Sequence, residues 1–156
     1  MMDNTQLNDN SGVGIHEISH DPTVKALRLL SIVLGMMAVA YGAVYFGPEN
    51  LVRSPQNPEF FERQISIVRH VEAIGPIWPF AFMFAGVLIL ATVVLGRGLI
   101  LAHGIALGVW VAYGLAILLG GILSEPPSPV LVGVAAIFIG LTHLGMTRAW
   151  AGEGVR

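Results

Sequence analysis

From Ile77 to Leu123 the chain is almost continuously apolar: IWPFAFMFAGVLILATVVL, then Gly96-Arg97-Gly98, then LILAHGIALGVWVAYGLAILLGGIL. An α-helix rises about 1.5 Å per residue and a bilayer's hydrocarbon core is about 30 Å thick, so about 20 apolar residues cross it. Both runs reach that length without an acidic residue, and the short link only reverses the chain. The pattern predicts a membrane hairpin with spans over about 77–96 and 99–123.

Two further runs have the same character. Asp21-Pro22 opens a helix, because Asp can cap free backbone N–H groups and Pro suits the first helical position. Its apolar part predicts a span over about 27–46, stopped by Gly47-Pro48. After SEPPSP, whose three prolines forbid helix, PVLVGVAAIFIGLTHLGMT predicts a fourth span over about 129–147. Residues 1–21 are rich in Asn, Asp, Ser and Gly and read as a disordered tail, and RAWAGEGVR at 148–156 reads as a polar C-terminal tail. The expected fold is an all-α integral membrane domain over 22–147, four helices in an up-down bundle.

The long link between the first two spans has a different period. Over about 58–74, Phe60, Phe61, Ile65, Val68, Val71 and Ile74 fall near one helical face, and Glu59, Glu62, Arg63, Ser66, Arg69 and Glu72 mostly on the other. This predicts a short amphipathic helix on the membrane surface or the bundle mouth. Its charges fit a solvated face, with Glu59–Arg63 and Arg69–Glu72 at pairing distance.

Composition adds limits. With 54% hydrophobic and 12% charged residues over 156, the chain is too apolar for a soluble domain of its size. The net charge of −2 comes without a basic cluster, so nucleic acid is not an expected partner. Cysteine is absent, which excludes disulfides and thiolate chemistry. The N-terminus lacks a basic region before an apolar core, so no cleavable signal peptide is expected. Placing Lys25, Arg28, Arg97, Arg148 and Arg156 inside leaves Arg53, Arg63 and Arg69 outside. That bias predicts the cytoplasmic membrane with both termini cytoplasmic. Tyr45, Phe46 and Trp78 would then mark the outer interface and Trp150 the inner one.

Candidate chemistry is sparse. His16-Glu17-Ile18-Ser19-His20 matches the H-E-x-x-H zinc pattern, but it sits in a polar tail with no third ligand beside it. His103 and His143 are intramembrane ionisable residues at similar predicted depth on neighbouring antiparallel spans. They fit axial haem ligands or a proton relay. The plainer and favoured reading is of histidines satisfied by a backbone carbonyl, Thr142 or interfacial water. Two ligands do not define a metal site, and the residues call for no cofactor.

Small residues recur at helical intervals: Gly35, Ala38 and Gly42; Gly104, Gly108 and Ala112; Gly133, Ala136 and Gly140. In lipid, helices associate by close packing, so these are helix-packing faces, either within the monomer or between copies. Trp110 and Tyr113 read as bundle interior. Every acidic residue lies in a tail or loop, which speaks against a cation-coupled transporter.

Four short-looped spans, the polar N-tail, the RAWAGEGVR ending and the Gly/Ala-rich helices resemble small four-span membrane proteins of actinobacterial phages, including holin-type lysis proteins. The likeness covers about residues 22–148. It implies a non-enzymatic protein that accumulates in the membrane, self-associates as a homo-oligomer and permeabilises it. Two alternatives stay open: an accessory or exclusion protein bound to another membrane protein, and a small haem b redox subunit using the histidine pair.

Overall fold

The computed structural model describes residues 22–47, 67–72, 74–124 and 130–154, without the side chains of Arg69 and Glu72. Among these residues every regular element is a helix. The elements are α1 (Pro22–Val44), α2 (Ile67–Glu72), α3 (Ile77–Leu95), α4 (Leu99–Leu123) and α5 (Leu131–Gly152). All but α2 are long and apolar enough to cross a membrane. At about 1.5 Å per residue they measure from roughly 28 to 37 Å.

The helix limits follow local chemistry. α3 ends and α4 begins through Gly96 and Gly98, whose φ values of +67° and +81° lie where a Cβ is costly. Arg97 between them is exposed, as expected for a hairpin tip. α1 starts at Pro22, as the capping pattern predicts. α5 departs from expectation: it runs five residues past Thr147, to Gly152, instead of ending in a polar tail. Arg148-Ala149-Trp150-Ala151 stays in helical phase, and the extra turn buries Trp150 to 1% exposure before Gly154 at φ +70° ends the run. Of the amphipathic segment predicted over 58–74, only Ile67–Glu72 is described as helix, and residues 58–66 lie outside the described set. Ile67, Val68 and Val71 pack against the aromatic core of the bundle.

The long helices run alternately up and down. α1 packs chiefly on α3 and α4 on α5, while the α3–α4 hairpin joins the two pairs. Glycine permits both close crossings. A Cβ on Gly86 would lie 2.6 Å from the Gly35 carbonyl oxygen, and one on Gly114 would lie 2.7 Å from that of Gly133. Gly35, Gly42, Gly133 and Gly140 are buried in these seams, as their spacing suggested. Gly104, Gly108 and Ala112 depart from the monomer-packing reading: all three are exposed, and among the described residues nothing lies within 4 Å of a Cβ built on either glycine. The turn of α4 that meets α5 centres instead on His103, Ala106, Trp110 and Gly114.

Outside, the helices carry Leu29, Val33, Phe84, Val94, Leu101 and Phe138, an apolar surface that water would disfavour and lipid accepts. Inside, Trp78, Phe82, Trp110 and Tyr113 form an aromatic core with Tyr41. Tyr41, Phe82 and Tyr113 meet edge to face with centroids 4.9–5.7 Å apart, the arrangement ring quadrupoles favour. Trp78 and Trp150 are packed inside the bundle, near its two ends.

Candidate functional site

Helix reversal puts the start of α1, the α3–α4 turn and the end of α5 at one end of the bundle. Lys25, Arg28, Arg97 and Arg148 are all exposed there. Just inside that end, side chains from three helices meet in a polar layer. Ser31 comes from the small-residue stripe of α1, His103 from the second turn of α4, and His143 and Trp150 from one face of α5, seven residues apart. Ser31, His103 and His143 are fully shielded from solvent.

These groups form one connected chain. Trp150 donates its indole N–H to Ser31 Oγ at 3.2 Å, and the Ser31 hydroxyl donates to the Leu27 carbonyl at 2.9 Å. Ser31 Oγ lies 3.0 Å from His103 Nε2, and His103 Nδ1 lies 2.9 Å from His143 Nδ1. Among the described residues His143 Nε2 is buried with no hydrogen-bond partner. An unpaired buried polar atom costs about 1–3 kcal/mol, so it marks a specific feature and not filler. Around the layer, Val24, Leu34, Leu99, Met146 and Trp150 pack as an apolar cluster.

The two histidines predicted from sequence are thus brought together, and more directly than expected: they bond to each other, and His103 also to Ser31, rather than to Thr142. Thr142 donates to the Phe138 carbonyl and is exposed. The contact does not fit the haem reading. Two axial imidazoles stand on opposite faces of the macrocycle, with donor nitrogens about 4 Å apart for metal–nitrogen bonds of about 2 Å. Here the facing nitrogens share a hydrogen bond at 2.9 Å, and Nε2 of His103 is taken by Ser31. Among the described residues no group of three or more His, Cys, Asp or Glu side chains could hold a metal. The His16–His20 motif lies outside the described residues.

A second polar cluster sits toward the other end, where the Tyr113 hydroxyl meets those of Tyr41, at 3.1 Å, and Tyr45. The indole N–H groups of Trp78 and Trp110 nearby are buried without a partner among the described residues.

Sequence reasoning missed Ser31, Trp150 and the tyrosine cluster. Ser31 had a signal, since it continues the Gly35–Ala38–Gly42 stripe one turn earlier on the same buried face. Trp150 had one too, two turns after His143, but its neighbours Arg148 and Glu153 suggested a tail.

Comparison with protein-family models, curated proteins and solved structures finds no match for this chain.

Proposed function

We propose that this protein is a multi-pass protein of the cytoplasmic membrane, with both termini cytoplasmic, that works without enzymatic chemistry by associating with copies of itself and permeabilising the bilayer, in the manner of phage holins. The observation that carries the reading is the outward Gly104–Gly108–Ala112 face of α4, exposed and with open space above both glycines. Among the described residues this face packs on no other helix, and the seams are made elsewhere. In lipid, a small-x-x-x-small stripe lets a second backbone approach closely and gain dispersion contacts that lipid tails cannot match. Large side chains border it at Leu101, Leu115 and Leu119, as a knob-and-groove contact requires. Placing Lys25, Arg28, Arg97 and Arg148 at one exposed end supports the orientation by the positive-inside rule. The packing of α2 on the aromatic core supports its place at the outer mouth of the bundle.

The test is controlled expression in a bacterial host while membrane potential is followed with a dye. The potential should collapse abruptly once a threshold abundance is passed, and the Gly104→Ile/Gly108→Ile double variant should reach the same abundance without collapse. Unimpaired growth at high membrane abundance of the wild type sinks the reading. Crosslinked co-purification of one unrelated membrane protein at fixed stoichiometry would instead assign the same face to a partner and make this an accessory or exclusion protein.

A further inference from the structure

We propose that His103 and His143 form a binding site for a single proton inside the bundle, loaded through His143 Nε2 and closed at Ser31 and Trp150. The proposal is independent of self-association. It rests on counting donors and acceptors along the chain. Trp150 Nε1 is donor only, and the Leu27 carbonyl is acceptor only. The Ser31 hydroxyl has one proton, which goes to Leu27. Its oxygen therefore accepts from both Trp150 and His103, and His103 must carry its proton on Nε2. His103 Nδ1 is then bare and accepts from His143 Nδ1–H, which leaves the unpartnered His143 Nε2 as a bare lone pair. Every contact is satisfied in one proton arrangement, with a single open acceptor at its end.

That arrangement can take one more proton without losing a hydrogen bond. The incoming proton adds to His143 Nε2, and the proton on His143 Nδ1 passes across the 2.9 Å contact to His103 Nδ1. His103 then holds protons on both nitrogens and His143 on Nε2 alone. The net charge rises by one, and the Nδ1–Nδ1 bond persists with its direction reversed. A second proton has only His143 Nδ1 left, which would set two N–H groups against each other at 2.9 Å and force α4 from α5. The far end cannot pass a proton on, since the indole is not an acceptor and the carbonyl is not a donor. The pair is a store for one proton and not a relay through the membrane.

The surroundings bear on where along the pH axis uptake falls, not on its stoichiometry. On α1 the charged groups near this end are Lys25 and Arg28, before α4 Arg97, and on α5 Arg148 and Glu153; all but Glu153 are exposed, and none is among the residues buried beside the pair. α3 contributes Thr92, whose hydroxyl is bonded to the Ile89 carbonyl.

The experiment is nitrogen NMR on the full-length chain with ¹⁵N-labelled histidine in nanodiscs, with His16, His20 and His70 replaced by glutamine so that two rings report. Near neutral pH one ring should be protonated at Nε2 and the other at Nδ1, with a through-hydrogen-bond ¹⁵N–¹⁵N coupling between the two Nδ1 atoms. On acidification one proton per chain should be taken up, giving one doubly protonated ring while the coupling survives. Assignment uses His143→Gln, which should leave one ring and no coupling; should that variant misfold, the unmodified pair still decides. Identical tautomers on both rings, no coupling at any pH, or loss of the coupling with the first proton would overturn the proposal.

Discussion

Gly114→Ala should part and destabilise the α4–α5 seam, whereas Gly108→Ala, about two turns earlier on the same helix, should not. The added methyl at 114 would stand 2.7 Å from the Gly133 carbonyl oxygen, 2.8 Å from Ile137 Cγ1 and 3.0 Å from Ile137 N. Ordinary contact begins at 3.4 Å, so the backbones must part by about 0.7 Å. Two of the three obstacles are backbone and cannot rotate away. Overpacking of this kind costs about 1–3 kcal/mol. The same parting, carried three turns along the seam, would stretch the 2.9 Å His103–His143 bond beyond hydrogen-bonding range and remove about 0.5–1.5 kcal/mol more. Helix propensity returns about 1 kcal/mol for Gly→Ala. The expected net loss is roughly 1–3 kcal/mol. At Gly108 nothing lies within 4 Å, so only the propensity gain remains, up to about 1 kcal/mol. The two alanine variants should therefore differ by roughly 2–4 kcal/mol, about two orders of magnitude in the folded-to-unfolded ratio. SDS titration of the full-length protein in dilute mixed micelles, followed by tryptophan fluorescence and circular dichroism, measures the difference as a shift in midpoint. Equal midpoints, or a higher one for Gly114→Ala, would refute the packing account.

Three other outcomes are expected. Ser31→Ala leaves the Trp150 indole and His103 Nε2 without their shared partner and should cost about 1–3 kcal/mol in the same titration, with Ser31→Thr milder because it keeps the hydroxyl. Tyr113→Phe keeps the aromatic stacking but removes the hydroxyl that joins Tyr41 and Tyr45; about 1–2 kcal/mol should be lost, and loss as large as that of Tyr113→Ala would show that the hydroxyl cluster carries the contact. Gly98→Ala forces a Cβ onto φ +81° and should cost about 1–2 kcal/mol, visible as faster proteolysis at the hairpin tip in detergent, while no change in cleavage would mean that the turn relaxes freely.

Why the spans were legible and their faces were not has one physical cause. In water, the buried side of a helix is marked by the contrast between apolar and polar residues; in lipid both sides are apolar, and that contrast vanishes. Spans were therefore read from length and composition: 77–96 and 99–123 lie within two residues of α3 and α4 at both ends, and 27–46 lies within two residues of α1 at its C-terminal end only. The fourth failed where Arg148 and Glu153 resembled solvent-exposed tail, although Trp150 between them is core. Rotation about each helix axis had to be read from the few residues lipid does not tolerate or packing does not spare. The ionisable pair pointed inward correctly, since an imidazole facing hydrocarbon would go unsatisfied. Glycine gave an ambiguous mark, because it permits close approach without saying whose backbone approaches. Gly133 and Gly140, two turns apart, seat α5 on α4, yet Gly104 and Gly108, one turn apart, seat nothing among the described residues. What distinguishes them is the neighbouring turn: the α4 face with His103, Trp110 and Tyr113 had already claimed the interior, so a stripe just beside it must look outward. A helix with two small-residue faces of which the fold consumes one has a second face to spend on another helix, and the Gly108→Ile variant asks whether that helix belongs to a second copy of this chain.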